Sequence, residues 1–384
     1  MKRPVDLFRT APQNLNVLIW GTYDLGKPRT RLVIQSIRET GAQVSEIHSA
    51  VWEGAEDKSV LRKGAALRRV VRWLLAYPGL LWRFCRAPRP DVVVIGYLGH
   101  LDVLSLLPFA AIRRIPIVWD AFLSLHDTVV RDRKMISRRN PAALFLWALE
   151  WLACRAVNRV VLDTEAHAEL FRCSYGLEPR KLASVFVGAE AEAFPTVSPK
   201  LHAKHPTVLF YGQFIPLHGI ETIVEAARMA GDQEISWVII GRGQQTQAVQ
   251  DMTVSGVPAS IEWVEWVPYP ELVQRIGQAD VCLGVFGESE KAGRVIPNKV
   301  FQILSAGKPL VTRTGPGILE LVSEDTPGVE LVPPGDPAAL LAAVKRLLSS
   351  APYPPELHAD LRKRFSIDIL AAGWDAILRK ATSS

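Results

Sequence analysis

The patterns that mark the commonest enzyme classes are missing from this chain. Its four cysteines, Cys85, Cys154, Cys173 and Cys282, are scattered and form no CxxC pair. That excludes a disulfide scaffold or a zinc ribbon and fits reduced thiols in a cytosolic protein. There is no Walker loop and no GxGxxG followed by an acidic residue, so ATP hydrolysis and nicotinamide chemistry have no anchor; the GRG at 241–243 is too short to serve. No GxSxG elbow or dense His/Cys cluster points to a hydrolase or metalloenzyme. No DxD carboxylate pair is present, so neither a metal nor any other cofactor is expected. The first twenty residues carry no long apolar run before a small-residue cleavage site, and no secretory signal is expected. A transmembrane span is also lacking. The best apolar candidate, AALFLWALEWLACRAVNRVVL (142–162), is interrupted by Glu150, Arg155 and Arg159 and reads as an amphipathic helix.

Acidic residues are absent from one long segment. Between Lys58 and Pro90 there are nine Lys or Arg and no Asp or Glu, interleaved with Trp73, Trp82, Phe84 and many Leu and Val. A basic helix with Trp and Leu on its other face suits the headgroup region of an anionic membrane. A solvated helix with buried aromatics is the plainer alternative. No nucleic-acid-binding module accompanies the charge, so a nucleic-acid partner is not expected.

What is present describes a globular α/β protein. The 384 residues suffice for two or three domains, with 48% hydrophobic and 22% charged residues and a net charge of +6. LNVLIWG (15–21) is an apolar strand running into a glycine turn, followed by a helix from about Pro28 to Thr40. AQVSEIHS, DVVVIGYLGH, IPIVWDAF, the start of NRVVLDTEAH and KLASVFVGAE continue as short strands. The Pro-rich, polar stretch 191–206 reads as a linker, and strand–helix alternation restarts at Thr207. This predicts a Rossmann-like domain over 1–190, a second over 207–364, and a final helix (365–384) that returns across the linker. Alternating βα units imply parallel sheets with ligands at the carboxyl ends of the strands.

The segment ESEKAGRVIPNKVFQILSAGKP (288–309) carries the most chemistry. Pro297 and Asn298 are expected to open a short helix, with Asn298 capping it, and Gly307 and Pro309 to close it. Lys299, Gln302 and Ala306 share one face, while Val300, Ile303 and Leu304 point to a core. A cation in the first turn suits a phosphate, and an amide one turn later suits a ribose diol.

Five landmarks in order, VLFYGQFIPLHGIETIVEAA (208–227), WVIIGRG (237–243), ADVCLGVFGESE (279–290), NKVFQILSAGKPLVTRTGPGILELV (298–322) and LVPPGDPAALLAAVKRLL (331–348), resemble the donor-binding half of retaining glycosyltransferases of family 4. A variant subset of the group with a PNK or PSK helix start looks closer to this chain. The resemblance implies the GT-B architecture, two Rossmann-like domains facing across a cleft, and a metal-independent hexosyl transfer. The donor would be a nucleotide-diphosphate sugar, the acceptor lipid-linked or a polysaccharide. In the family an Arg after the first glycine of the 212–219 loop and a Lys before the second grip the diphosphate; here Gln213 follows Gly212 and His218 precedes Gly219. The charge must then be met by Lys299, Arg242 or Arg294, with Gly21 and Gly241 at neighbouring strand ends. Of the family's glutamate pair, the second stands at Gln302 and the first at Arg294, so Glu288 or Glu290 is expected to receive the donor-sugar hydroxyls. The loop 120–134 falls where the family places a His or acid near the donor sugar, which nominates Asp120, His126 and Asp127 for catalysis. His100 is a second acceptor contact. Two other readings stay open: a nucleotide-sugar epimerase on the same fold, and a catalytically silent donor-binding subunit of a glycan assembly complex, motivated by Gln213, His218 and Gln302 together.

Overall fold

Parallel pairing demands long crossover connections, and short apolar strands separated by helix-length segments supply them. The computed structural model describes residues 14–52, 63–195, 205–231, 235–253, 260–354 and 356–383. The signal-peptide reading of the first residues, Lys58 and Arg62 of the basic run, and most of the linker lie outside the described residues.

In the first lobe, β1 (Asn16–Gly21), β2 (Gln43–His48), β3 (Val92–Ile95), β4 (Ile117–Phe122), β5 (Arg159–Leu162) and β6 (Leu182–Ser184) form one parallel sheet in the order β2-β1-β3-β4-β5-β6. Helices α1 (Pro28–Glu39), α2 (Lys63–Arg86), α3 (His100–Ile112), α4 (Pro141–Ala156) and α5 (Glu165–Tyr175) make the crossovers. The chain steps from β1 out to β2, then back past β1 to β3 and onward. Right-handed crossovers therefore put α1 on one face and α2 to α5 on the other. The second lobe repeats the plan with β7 (Thr207–Tyr211), β8 (Ser236–Ile240), β9 (Ile261–Val264), β10 (Val281–Leu283), β11 (Leu310–Arg313) and β12 (Val329–Val332), ordered β12-β11-β10-β7-β8-β9. Its helices are α6 (Ile220–Ala230), α7 (Thr246–Thr253), α8 (Tyr269–Gln278), α9 (Glu290–Arg294), α10 (Asn298–Ser305), α11 (Pro337–Ser349) and α12 (Ala359–Arg364). The last helix, α13 (Ile367–Thr382), buries Leu370, Trp374, Ile377 and Leu378 with Val17, Ile19, Ile34 and Ile37 of the first lobe.

Two local readings need correction. Helix α10 has Pro297, not Asn298, at its N-cap, and no side chain caps it. Its supposed outer face is also buried, with Lys299, Gln302 and Ala306 covered nearly as fully as Val300 and Ile303. Helix α4 is amphipathic in the opposite sense to its sequence. Glu150 is fully buried, whereas Leu144 and Phe145 are 67% and 65% exposed. A lone carboxylate usually marks the wet face, but inside the lobe five donors await it. The His100 ring, the hydroxyls of Ser124 and Tyr175, and the backbone N–H groups of Leu125 and His126 all hydrogen-bond to it. Burial alone raises its pKa, yet these bonds hold it below the usual glutamate value.

Candidate functional site

Strand β7 runs directly into Gly212, whose φ of +142° only glycine adopts readily. A Cβ there would lie 2.9 Å from both Lys299 Nζ and His218 Cε1, so the bare strand end lets these two groups converge. His218 is buried and its Nδ1 hydrogen-bonds the carbonyl of Gln213; Gly219, at φ +63°, then turns the chain into α6. Lys299 is 5% exposed, its Nζ has no hydrogen-bond partner, and it lies 3.9 Å from the centroid of the Phe210 ring. Burial pushes its pKa far below the usual lysine range. Burial likewise depresses His218, with Lys299, Arg133 and Lys291 adding to the effect and the Gln213 carbonyl opposing it. Two buried basic groups side by side, one of them unpaired, form a ready cradle for an anion.

Above this floor a cavity of about 890 Å³ opens between the lobes. Asp24, Gly26 and Lys27 line it from the first lobe, and Tyr211, Gln213, Gly241 and Arg242 from the second. Trp266 stands exposed at its rim, where a planar base can stack. Gln302 lies behind Tyr211, whose hydroxyl donates to Gln302 Oε1 at 3.0 Å.

A second cavity of about 520 Å³ sits between the 127–138 segment of the first lobe and the 286–294 loop of the second. Residues Asp127–Asp132 form a π-helical turn, an irregularity common at functional sites. It meets the facing loop through Arg294 to Asp127 (3.3 Å), Lys291 Nζ to Thr128 Oγ1 (2.7 Å) and Ser289 Oγ to Asp132 Oδ1 (2.7 Å). Nearby, the Glu320 carboxylate accepts from the N–H groups of Glu165 and Ala166 at the start of α5, which joins the lobes again.

The sequence-derived candidates separate on this frame. Gly212, Gln213, His218, Gly241 and Lys299 gather at the β7 and β8 strand ends. Gly21 packs against Asp102, whose carboxylate accepts from Thr22 and Tyr77, so its loop is anchored from behind. Asp120 is buried in a two-bond ion pair with Arg29 (2.7 and 3.2 Å) and lines neither of these two cavities. His100 is taken by Glu150 rather than by any acceptor site. His126 is half-buried and Asp127 buried on the second cavity. Arg242 is exposed and pairs with Glu265 at 3.6 Å, away from the buried floor. Arg294 is committed to Asp127 and Glu290. Glu290 is exposed in that pairing, and Glu288 lies exposed beside Gly335. Sequence reasoning missed Arg133, which sits across the cleft with its charge felt by His218 and its Nε buried without a partner. It missed Lys291 and Asp132 as well. The run RDRK (131–134) signalled charge, but nothing in it told which cation turns inward. Among the described residues no group of His, Cys, Asp and Glu is placed to hold a metal ion.

Comparison with known proteins fits this geometry. Residues 205–350 match the family model described as glycosyl transferases group 1. A probable glycosyltransferase, WbjE of Pseudomonas aeruginosa, is 26% identical over 140 residues, which span 36% of this chain and 34% of WbjE. Solved structures align along nearly the whole chain. Anabaena Alr3699/HepE in complex with UDP and glucose superposes with a TM-score of 0.65 at 13% identity, over 95% of this chain and 99% of that one. Sucrose-phosphate synthase of Thermosynechococcus elongatus gives 0.69 at 15%, over 96% and 99%. The lipopolysaccharide outer core galactosyltransferase WaaB gives 0.63 at 14%, over 95% and 99%. The chain has the two-domain α/β architecture of the GT-B fold, and its second lobe matches a group 1 glycosyl transferase domain.

Proposed function

We propose that the protein is a retaining glycosyltransferase that moves a hexosyl group from a nucleotide-diphosphate sugar to a lipid-linked or polysaccharide acceptor. The observation that carries this reading is the buried, unpartnered ammonium of Lys299 beside His218, beneath the interlobe cavity, in a lobe that matches group 1 glycosyl transferases. The base lies toward Trp266 and Gly241, and the diphosphate over Gly212. There Lys299 and His218 from below and Arg133 from across the cleft replace the family's Arg and Lys. Transfer breaks the bond from the anomeric carbon to the diphosphate oxygen, whose electron pair leaves with the nucleotide. The acceptor hydroxyl adds to the same face of the sugar, and its proton goes to a departing phosphate oxygen. Fixed cations that meet the charge developing on that oxygen lower the barrier without any metal. Asp127, on the second cavity, orients the acceptor side.

The reaction belongs in the cytoplasm at the inner face of the membrane, where the basic helix α2 meets anionic lipid. Binding of UDP, GDP, ADP or dTDP sugars without turnover would instead favour the donor-binding subunit, a reading supported by Gln302 being occupied by Tyr211 and Arg294 by Asp127. The test is release of free nucleoside diphosphate from each sugar donor, with and without EDTA, in the presence of membrane extract. One donor consumed, insensitive to EDTA, supports transfer; binding without consumption supports the subunit.

A further inference from the structure

The outer side of the first lobe exposes an apolar surface that folding leaves uncovered. Helices α2, α3 and α4 lie side by side over the sheet. Their inner residues, such as Tyr77, Phe84, Leu106 and Ala153, form the core. Their outer residues are also apolar: Leu75 is 71% exposed on α2, Ile112 82% on α3, and Leu144 and Phe145 about two-thirds on α4. The acidic residues of the three helices are Asp102 and Glu150, and both are turned inward. Basic residues surround the apolar face. Arg68, Arg72, Arg83 and Arg86 are exposed along α2, Arg138 and Arg139 directly precede α4, and Arg155 lies near its end. The Arg86 guanidinium stacks 4.2 Å from the Trp82 ring and that of Arg155 4.6 Å from Trp151, amphipathic pairs suited to the border between acyl chains and headgroups. Among the described residues no helix is long and apolar enough to cross a membrane, so the face has the makings of a surface that lies on lipid.

We propose that α2, α3 and α4 together form one docking face for an anionic lipid surface, with the outward Leu144, Phe145 and Ile112 entering the acyl boundary and the flanking arginines meeting the phosphates. Helix α2 supplies most of the charge together with the exposed Val71, Leu74, Leu75 and Trp82, and α3 with the inverted helix α4 extends that apolar area. The segment 131–139 lines the smaller interlobe cavity and runs straight into α4. On the reading of that cavity as the acceptor side, which rests on the proposed function, docking brings its mouth to the headgroups, and a lipid-linked acceptor reaches it without leaving the membrane.

The test is flotation of the full chain with phosphatidylcholine vesicles containing about 30% phosphatidylglycerol, against phosphatidylcholine alone. Wild type is expected to float with the anionic vesicles and to stay behind with neutral ones. Leu144→Glu with Phe145→Glu should lower partitioning about tenfold or more, because two inserted side chains are replaced by charges. Ile369→Glu, at an exposed apolar site (53%) on α13 at the opposite face, should leave it unchanged. Thermal shift with nucleoside diphosphates, measured on each variant, reports folding and the donor site separately from lipid binding. Equal flotation of wild type and the α4 variant would overturn the proposal, as would loss in the Ile369 variant. So would wild type that ignores lipid but forms a dimer that the α4 variant dissociates, since the occupant would then be a second copy of the chain.

Discussion

Replacing Lys299 with methionine separates stability from binding with opposite signs. In the ligand-free protein the ammonium is buried, has no acceptor, and lies over an aromatic ring. An unsatisfied buried polar group costs roughly 1–3 kcal/mol, and methionine keeps the length of the stem without that cost. The variant should therefore unfold several degrees higher, given about 2–4 °C per kcal/mol for a lobe of this size. Donor affinity should move the other way. A hydrogen bond to a charged group contributes about 1.5–3 kcal/mol, so the dissociation constant should rise about 10- to 150-fold. The pH dependence follows from the depressed pKa. Below the ordinary lysine value of 10.5 the unfolded chain holds a proton that the folded state resists. Wild-type stability should thus climb relative to the methionine variant as pH rises through that window. A bound diphosphate favours the charged form of Lys299, so donor binding takes up protons and weakens with rising pH more steeply in the wild type than in the variant, which retains His218. Differential scanning fluorimetry and calorimetry in two buffers of different ionisation enthalpy read all of these. A Lys299→Met protein that is less stable and still binds donor as tightly would refute the reasoning.

Other substitutions probe the remaining contacts. Arg133→Ala should weaken nucleoside diphosphates about tenfold, the value of one charge-assisted contact, and leave nucleosides untouched in calorimetric titration; equal losses for both would place Arg133 away from the phosphates. Arg294→Met combined with Glu320→Gln removes contacts that join the lobes, so the ligand-free radius of gyration should grow in small-angle scattering, and an unchanged profile would mean that other contacts hold them. Glu150→Gln should cost about 1–3 kcal/mol at neutral pH, because it weakens five hydrogen bonds to one carboxylate. The Glu150 pKa is held below the usual value, so its stabilisation is present above the carboxylate range and fades as pH falls through the depressed value. Acid melts of wild type and variant should converge there; a constant gap down to low pH would contradict the assignment.

The two-lobed architecture was legible because buried parallel strands are short, uninterrupted apolar runs such as VVVI, and each is followed by a helix-length segment. Polar residues that the fold turns inward were not legible. Lys299 and Gln302 looked like the outer face of α10, and Glu150 like the wet face of α4, because helical periodicity shows which residues share a side but not which side another layer will cover. Arg133, Lys291 and Asp132 were invisible for a different reason. They acquire meaning only where two lobes meet, from segments far apart in the chain, and no local spacing encodes that meeting. The departures at Gln213 and His218 could be read, and they pointed to Lys299, Arg242 and Arg294 as further sources of phosphate charge. Of the three cations then nominated, Lys299 alone sits at the β7 strand end, since exposed Glu265 pairs with Arg242 and buried Asp127 holds Arg294.

The central claim is that the floor made by Gly212, His218 and Lys299 holds the diphosphate of a nucleotide sugar. Thermal shift with UDP, GDP, ADP, dTDP and their common sugars, with and without EDTA, tests it most directly. One nucleotide should stabilise the protein by about 2.7 kcal/mol at 100 times its dissociation constant, unaffected by EDTA, and at that same concentration stabilise the Lys299→Met variant by only about 0.3–1.4 kcal/mol. No shift with any of them, or a shift that survives the substitution unchanged, would contradict it.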